Sequence, residues 1–507
     1  MTKIHSGAAA VVCALAACAC GESDLAVPGE DSVSWGSCPV GFAGECATLE
    51  VPIDWSDPAS KTIGVLASRY RSPETATRDL WLLAGGPGSS GASFTSILAD
   101  LAQGLPGTNI YVLEQRGIGP SAKLDCPGAV AVDSPLGQGI APDEWPSCLE
   151  EVQQRHADEL EFFTTSAAAR DLNAWIEAVA VPERETYVYG VSYGSYLALR
   201  YLQLFPDQAS GVVLDSVLTP SQRFLSSYDE HFDPVARQLS ERCQLDAECA
   251  EHLGADPWAT ALHTVESLDT GHCPELETDR ATVSALLAQL VMYVGTRPFL
   301  FPVIHRLERC NAADVNALRA LAELLVEQLS PSGDLVSHVL QRHITYSELW
   351  ETAGLTAEQV AARRAQSVTW PGLWDAFAPL YEAWPRYPND ELVGKWPVTS
   401  VPLLALNGSL DPQTPIEAAR SVETHLGGPN QYFVEVPHAP HVALLTSPVK
   451  TPGQLPCGFQ LMQSFLESRG ANLDRTCLDD LVPVPLKPTP ADATFGFGTD
   501  DVWGDEL

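Results

Sequence analysis

The sequence predicts an α/β protein whose mostly parallel, doubly wound sheet is interrupted by a helical block. Seven short apolar segments, each bounded by Gly, Pro, Asp or Asn, have the composition of buried strands. Helical patterns separate several of them, and parallel strands need such crossovers over the faces of a sheet. The stretch from about residue 220 to 396 lacks this alternation and is helical in pattern, which indicates an insertion.

The predicted elements follow in chain order. Strands are expected at 63–70, 80–84, 110–114, 186–190, 211–215, 401–407 and 432–436, and helices at 167–179, 196–204, 281–294 and 316–329. Because the strand pattern resumes at Val401, a cap inserted into one sheet is more economical than an independent second domain. A cap in this position covers the face of the fold that carries a site.

These elements divide the chain into six regions. They are an export signal and anchor region (1–20), a tether (21–36), the first part of the α/β core (37–219), the helical cap (220–396), the second part of the core (397–482) and an acidic tail rich in Pro and Gly (483–507). We expect the last region to be exposed, because Pro, Gly and Asp are abundant in it.

The composition excludes one class of partner. Of 507 residues, 45% are hydrophobic and 19% are charged, which is typical of a globular chain with a large core. The 29 basic and 65 acidic residues give a net charge of −36. A nucleic-acid-binding surface needs clustered Lys and Arg, so nucleic acid is not an expected partner.

The first twenty residues have the pattern of an export signal of the bacterial lipoprotein type. Lys3 precedes an apolar, Ala-rich run at 7–17, and small residues stand before Cys18. The run is too short to span a bilayer as a helix. We expect lipid attachment at Cys18 as the only membrane contact, and cleavage of a plain signal peptide nearby is the alternative. Either reading places the chain in the cell envelope or outside the cell.

The other cysteines agree with export. The sequence has no C-x-x-C pair, which disfavours zinc and redox sites. Sequence proximity predicts five disulfides of the kind that form in an oxidising compartment: Cys38–Cys46, Cys126–Cys148, Cys243–Cys249, Cys273–Cys310 and Cys457–Cys477. Cys20 is left over.

The strongest local motif is GVSYG at 190–194, between a predicted strand and a predicted helix. A Gly-x-Ser-x-Gly turn in this position holds the serine in a strained conformation above the sheet, so Ser192 is the candidate nucleophile. A structural turn is the alternative, and Ser195 lies inside the helix. The backbone N–H of Tyr193, at the helix start, is expected to face a developing oxyanion.

A second glycine-rich loop, GGPGSSG at 85–91, follows the strand predicted at 80–84. It lacks the Lys-Ser/Thr ending of a phosphate-binding loop and the spacing of a dinucleotide fingerprint. We therefore expect the N–H of Gly86 to be the other oxyanion donor, with a tight turn as the structural alternative.

The acid and the base are expected after the serine in chain order. Asp411 follows the strand predicted at 401–407, and His438 and His441 follow the next strand. We favour His441 over His438, because the loop must bend back toward the serine. Asp215 is an alternative acid, although a lone Asp at a strand end is more often a turn or cap residue. The resulting Ser-His-Asp chemistry needs no metal and no cofactor.

In combination these residues resemble the secreted prolyl and tripeptidyl aminopeptidases of the α/β-hydrolase superfamily. The resemblance covers most of the chain outside the cap and the termini, in the segments CATLEVPIDW (46–55), GGPG (85–88), EQRGIGPS (114–121), GVSYGSY (190–196), FP (205–206), VLD (213–215) and NGSLDPQTP (407–415), then His441 and a tail in which Cys457 and Cys477 flank a helix. It implies an α/β-hydrolase fold with a cap, and it adds weight to Ser192, Asp411 and His441. The chain departs from the family pattern at Glu114, where the family usually has Asp, and at Pro440, where it usually has Gly.

The resemblance also implies a substrate class. An aminopeptidase holds the free amine of its substrate with carboxylates, usually from the cap. The cap candidates are Glu348 and Glu230, followed by Asp229, Asp233 and Glu351; a solvated helix face is the alternative. The expected function is therefore an exported serine hydrolase that cleaves peptides near a free N-terminus. The alternatives are a carboxylesterase or amidase with the same triad, and a non-catalytic protein that kept the scaffold.

Overall fold

The computed structural model describes residues 33–129, 139–220, 225–329, 335–351 and 355–505, apart from the side chains of 327–329. The expected signal, with Cys18 and Cys20, lies outside the described residues. None of the helices in the described ranges combines the length and the apolar composition needed to cross a membrane.

One nine-stranded sheet forms the centre of the fold. Its strands are β1 (Gly36–Ser37), β2 (Glu45–Pro52), β3 (Thr62–Tyr70), β4 (Arg78–Leu83), β5 (Thr108–Leu113), β6 (Glu185–Val191), β7 (Gly211–Asp215), β8 (Leu403–Gly408) and β9 (Gln431–Val436). The spatial order is β1-β2-β3-β5-β4-β6-β7-β8-β9. The pairs β1–β2, β2–β3 and β3–β5 are antiparallel, and all others are parallel.

Helices cover both faces of the parallel part. They are α1 (Leu98–Gly104), α2 (Trp145–His156), α3 (Thr165–Ala178), α4 (Tyr193–Leu204), α14 (Ile416–Ala419) and α15 (Cys457–Ser468), whereas the last helix, α16 (Pro490–Phe497), packs elsewhere. Along β4, Trp81 packs in the cluster that contains α3 and α4, whereas Leu80 and Leu82 pack in the cluster that contains α1 and α15. Alternate residues of one strand thus reach opposite layers, which confirms the predicted doubly wound α/β fold.

The seven predicted strands are all present, and two strands were not predicted. In β2 exposed and buried residues alternate, because this antiparallel strand has one face away from the core. Because β2 is not a continuous apolar segment, the sequence did not predict it.

A helical block lies between β7 and β8. Its helices are α5 (Phe232–Leu245), α6 (Ala247–Leu253), α7 (Pro257–Ser267), α8 (Arg280–Met292), α9 (Leu300–Arg309), α10 (Ala312–Leu329), α11 (His338–Ile344), α12 (Ala357–Arg364) and α13 (Leu373–Phe377). Helices α5–α10 enclose a core of their own around Leu287 and Phe301. In contrast, Leu340 and Tyr346 pack into the main core beside α3 and α4, so this part of the block is continuous with the α/β body.

The expectation of an exposed tail after residue 483 is wrong for much of its described part. Helix α16 packs on the helical block, where Phe497 meets Phe299 edge to face with the ring centroids 5.1 Å apart. Trp503 is buried, and Arg306 donates to the carbonyl oxygens of Asp501 and Val502. The abundant polar residues cap and end α16, while the two aromatic side chains supply the buried surface.

All five predicted disulfides are present. Three lie in or beside the α/β core, and two, Cys243–Cys249 and Cys273–Cys310, lie in the helical block.

Candidate active site

Ser192 stands at the turn between β6 and α4. Its backbone has φ 57° and ψ −124°, a conformation that non-glycine residues rarely adopt. Its N–H donates to the carbonyl oxygen of Asp215 at 2.9 Å, which fixes the turn to the neighbouring strand. The turn holds a half-buried serine above the carboxyl edge of the sheet, as the motif predicts.

The glycines on either side of Ser192 are required by close backbone contacts. A Cβ on Gly190 would lie 2.1 Å from the carbonyl oxygen of Gly194, and a Cβ on Gly194 would lie 2.1 Å from the carbonyl oxygen of Leu83. Any larger residue would therefore force the strand and the helix apart. Ser195 is buried, donates to the carbonyl oxygen of Ser192 at 2.6 Å and accepts from the N–H of Leu218, so it is a structural residue.

The glycine-rich loop after β4 lies against Ser192. A Cβ on Gly85 would be 3.0 Å from the Cβ of Ser192, and Gly86 has φ 107°, in the region that favours glycine. The helical block supports this loop through two backbone hydrogen bonds, from Ser90 N to Leu335 O and from Ser337 N to Gly88 O, both 2.8 Å long.

Glu114 holds the far end of the same loop. Its fully buried carboxylate accepts from the hydroxyl of Ser90 at 2.8 Å and from the N–H of Gly91 at 2.6 Å. Burial raises the pKa of Glu114 to about 7, although both hydrogen bonds act in the opposite direction. The departure from the usual Asp thus leaves a carboxyl group in contact with the loop.

Tyr193 is the first residue of α4, so its N–H is one of those without a partner inside the helix. The side chain is buried, and its hydroxyl lies 3.1 Å from the hydroxyl of Thr165. This packing fixes the first turn of the helix directly after Ser192.

Asp411 and His441 form a pair at the ends of β8 and β9. His441 Nδ1 lies 2.8 Å from Asp411 Oδ2. The same carboxylate accepts from the hydroxyl of Thr414 at 2.7 Å and from the N–H groups of Gln413 and Thr414 at 2.8 and 3.0 Å. Asp411 is therefore fixed by an Asx-type turn and oriented toward one ring nitrogen of the histidine.

The pair has shifted pKa values. Burial alone lowers the pKa of His441, but the charge and hydrogen bond of Asp411 outweigh it, so this pKa lies above its usual value. Burial raises the pKa of Asp411, yet His441 and Thr414 hold it below the ordinary value. The arrangement favours an ionised carboxylate that stabilises a protonated imidazole.

Asp215 and His438, the alternative acid and base from the sequence, have different contacts from Asp411 and His441. Asp215 is buried and accepts from the hydroxyl of Tyr189 and from the N–H groups of Ala443 and Leu444 at 2.8 to 2.9 Å, so it anchors the segment after His441. The backbone of His438 is bound to Ser409, and its side chain is not among those that line the cavity at Ser192.

Ser192 and His441 line one cavity of about 450 Å³ between the sheet edge and the helical block. Its lining includes Gly85, Gly86, Leu218, Leu225, Tyr228, Tyr293, Gln341, Thr345, Leu373, Phe377, Gln413 and Thr414. The volume falls in the range of small-ligand sites, which in α/β sheets lie at the carboxyl ends of strands. The sequence analysis missed Thr414 and the lining from the helical block; the turn pattern three residues after Asp411 could have revealed Thr414.

The cap carboxylates are mostly engaged elsewhere, which corrects two predictions. Glu348 is buried in an ion pair with Arg200, and Glu230 is paired with Arg363; neither lines the cavity.

The other three carboxylates differ from one another. Asp229 accepts from the N–H groups of Leu373 and Trp374, and Asp233 accepts from Thr369. Glu351 contacts the hydroxyl of Ser226, next to Leu225 of the cavity lining.

The chain is similar in sequence to known α/β hydrolases. Residues 80–244 match a family model described as the alpha/beta hydrolase fold. Tripeptidyl aminopeptidases of Streptomyces coelicolor and Streptomyces lividans are 31% and 30% identical to this chain in alignments of 200 residues, which cover 35% of this chain and 36% of each relative. The match thus spans about a third of the length of these curated relatives.

Two solved structures resemble this chain over most of its length. A thermophilic esterase from Thermogutta terrifontis is 14% identical over 79% of this chain and 93% of its own, with a TM-score of 0.33. The proline iminopeptidase of Mycobacterium smegmatis is 16% identical over 78% and 92%, with a TM-score of 0.34. Likeness at this level says nothing about the reaction. The sheet and the match of residues 80–244 show an α/β-hydrolase fold, and over about a third of its length the chain is similar in sequence to these tripeptidyl aminopeptidases.

Proposed function

We propose that this chain is a serine hydrolase that cleaves peptide bonds near a free amino terminus, in the manner of a prolyl or tripeptidyl aminopeptidase. The observation that carries the proposal is a single cavity lined both by Ser192, on its strained turn, and by His441, which is paired with Asp411. The names of the curated relatives support the peptide substrate.

The chemistry begins with Ser192. Its Oγ attacks the substrate carbonyl while His441 Nε2 takes the hydroxyl proton, and Asp411 stabilises the imidazolium that forms. His441 then gives that proton to the leaving amine, and the acyl group stays on Ser192 Oγ. Water, deprotonated by His441, hydrolyses the ester and returns the enzyme to its starting state.

The charge that develops on the carbonyl oxygen needs donors in place beforehand. We assign the backbone N–H groups of Gly86 and Tyr193 to this role, because Tyr193 directly follows Ser192 in α4 and Gly86 lines the same cavity as Ser192, next to Gly85, which packs against the serine. Ser90, Gly91 and Glu114 fix the loop that carries Gly86.

Recognition of the free amine is assigned to Glu351. Of the five cap carboxylates considered, Glu348 is neutralised by Arg200, Glu230 by Arg363, and two serve backbone N–H groups. Glu351 remains: it accepts from the hydroxyl of Ser226, the residue that follows Leu225 of the cavity lining, and it has no basic partner among the described contacts. A carboxylate there would bind an ammonium group through charge-assisted hydrogen bonds.

An esterase or amidase acting on small substrates is the second candidate. The observation that favours it is the cavity lining itself, where the described side chains are neutral apart from His441. Such a lining accepts an acyl group without requiring a charge on the substrate.

Export is part of the proposal. The five disulfides agree with an oxidising compartment, and the pattern before Cys18 supports a lipid anchor. Globomycin-sensitive processing, together with labelling by a palmitate analogue that is lost in Cys18→Ala, would test the anchor. Unchanged labelling of that variant would rule it out.

The test of activity uses matched chromogenic peptides with free and blocked amino termini, beside a short-chain ester. We expect cleavage of the free-amine peptides alone, no turnover by Ser192→Ala, and a raised KM of Glu351→Gln for the free-amine peptides. Thermal unfolding of each variant controls for folding. Ester cleavage that is indifferent to the amine would establish the second candidate, and turnover by Ser192→Ala would refute the serine mechanism.

A serine-directed phosphonate gives an independent readout. We expect one covalent adduct per chain, located at Ser192 by peptide mass analysis and absent from Ser192→Ala. A folded chain that forms no adduct and turns over no substrate would be a non-catalytic protein on this scaffold.

A further inference from the structure

Two histidines and an aspartate meet where the last described residues pack on the helical block. His252 lies on α6, His305 on α9, and Asp505 follows the buried Trp503. One ligand atom from each lies within 4.8 Å of the other two, and His252 Nε2 is 2.8 Å from Asp505 Oδ2. None of the three lines the cavity at Ser192, so the cluster has no place in the proposed reaction.

Backbone carbonyls determine which nitrogen of each ring carries a proton. His252 Nδ1 lies 2.8 Å from the carbonyl oxygen of Glu248, and His305 Nδ1 lies 3.1 Å from the carbonyl oxygen of His252. A carbonyl oxygen accepts and never donates, so each Nδ1 bears hydrogen, and each neutral ring presents its Nε2 as a lone pair. Histidines that bind metals usually have their other nitrogen bound in this way.

The arrangement of acceptors is unfavourable without a cation. The lone pair of His252 Nε2 and the carboxylate of Asp505 would repel each other at 2.8 Å. A proton on His252 would remove that repulsion, but it would leave His305 Nε2, which is buried and has no hydrogen-bond partner among the described residues. A cation bound by all three atoms satisfies both histidines.

We propose that His252 Nε2, His305 Nε2 and the carboxylate of Asp505 bind one divalent transition-metal ion, for which Zn²⁺ is the best match. Two nitrogens and one oxygen with an open fourth position suit tetrahedral zinc, with water as the fourth ligand. Zn–N bonds of about 2.0–2.1 Å at a tetrahedral angle place two imidazole centroids about 5 Å apart. The centroids of His252 and His305 are 4.9 Å apart, with their planes at 84°.

The neighbouring groups support the ligands. Trp503 stacks on the ring of His252 with the centroids 4.1 Å apart and donates to Glu248, which fixes the ring plane. Arg309 Nη1 lies 3.5 Å from Asp505 Oδ1, which leaves Oδ2 for the metal. The charge of Arg309 is offset by Asp314, whose oxygens lie 2.6 and 2.9 Å from the guanidinium.

The consequence is a metal-dependent link between distant parts of the chain. The ion would join α6, α9 and the residues after α16, and would add its binding free energy to the stability of the helical block. The reaction at Ser192 needs no metal, so removal of the ion should leave the kinetics at permissive temperature unchanged.

The test is Zn²⁺ binding to the purified chain after treatment with a chelator, measured by competition with a chromophoric chelator. We expect one ion per chain, a loss of affinity of at least about tenfold in Asp505→Asn, and a larger loss in His305→Gln. His263→Ala is the matched control, because His263 is an exposed histidine of the same helical block. Asp505 is half exposed, so its variant should fold.

Two further readouts separate this site from adventitious binding. Co²⁺ at the site should give the intense visible absorption of tetrahedral coordination, and Zn²⁺ should raise the Tm of the wild type and of His263→Ala but not of Asp505→Asn. Equal Zn²⁺ affinity in all four proteins would overturn the proposal. A folded wild-type chain that takes up no stoichiometric metal would also overturn the proposal.

Discussion

Glu348 of the helical block and Arg200 of α4 form an ion pair, with Oε2 and Nη2 2.9 Å apart and both side chains almost fully buried. The hydroxyls of Tyr196 and Tyr387 donate to the same carboxylate at 2.7 and 2.5 Å. The pair joins the block to the helix that begins after Ser192. Its role is therefore to position, and a substrate amine would have to displace Arg200 to use it.

Replacement of Glu348 by Gln should reduce stability and leave amine selectivity intact. Removing one partner of a buried pair leaves the other charge uncompensated and costs roughly 3–5 kcal/mol. Denaturant unfolding measures that loss, and KM on free and blocked peptides measures selectivity. Glu230→Gln is the control, since the half-exposed pair with Arg363 should contribute less than about 1 kcal/mol. Wild-type stability with a raised KM for free-amine peptides alone would contradict this role.

Glu114 should make the protein less stable as the pH rises. Its pKa is about 7 in the fold, against 4.5 as the ordinary value, because burial disfavours the carboxylate. The unfolded chain therefore releases this proton first, so the favourable contribution is complete below about pH 4.5 and is lost as the pH rises through about 7. The loss is on the order of 3 kcal/mol.

Glu114→Gln removes this titration while keeping the contacts to Ser90 and Gly91. The free energy of unfolding of this variant, relative to the wild type, should thus increase between about pH 5 and pH 8. A difference between the two proteins that stays constant with pH would show that Glu114 titrates normally.

His441 should set the acid limb of the pH–rate profile. Burial lowers the pKa of His441, but the effect of Asp411 is larger and opposite, so the pKa lies above its usual value of 6.5. The neutral imidazole, which acts as the base, therefore predominates only above pH 6.5. The plot of log kcat/KM against pH should bend above 6.5, and Asp411→Asn should lower turnover by about 10⁴-fold. His441→Ala should lose at least as much, whereas His438→Ala should stay within a few-fold of the wild type. The reverse ranking of the two histidines would move the base to His438.

The two disulfides of the helical block should contribute unequally to the free energy of unfolding. Cys273–Cys310 closes a span of 37 residues and Cys243–Cys249 a span of 6. In the chain-entropy model these loops correspond to about 4 and about 2 kcal/mol, because the longer loop restricts the unfolded chain more. Denaturant unfolding of the two double Cys→Ala variants measures the difference. Equal losses would show that loop length does not govern stability here.

The sequence predicted the fold well where its signals were local. The parallel strands are continuous apolar runs because both of their faces are buried, whereas β2 alternates and was missed. Ser192, Asp411 and His441 were predicted from motifs at strand ends; in the structure Ser192 and His441 line one cavity, and Asp411 is paired with His441. Turn geometry and strand ends are properties of a few adjacent residues, so a sequence displays them.

The tertiary structure decided which side chains contact each other. Glu348 was expected to face substrate, but packing places it against Arg200, 148 residues earlier in the chain. The Pro, Gly and Asp content of the last region predicted an exposed tail, but Phe497 packs against Phe299 of the helical block. His252 and Asp505 are separated by 253 residues and share no motif. The sequence alone predicted Ser192, Asp411 and His441 from short motifs at strand ends, and it predicted the disulfide pairs from the proximity of the cysteines along the chain. Which charges neutralise each other depends on contacts between distant segments, and only the folded chain establishes those contacts.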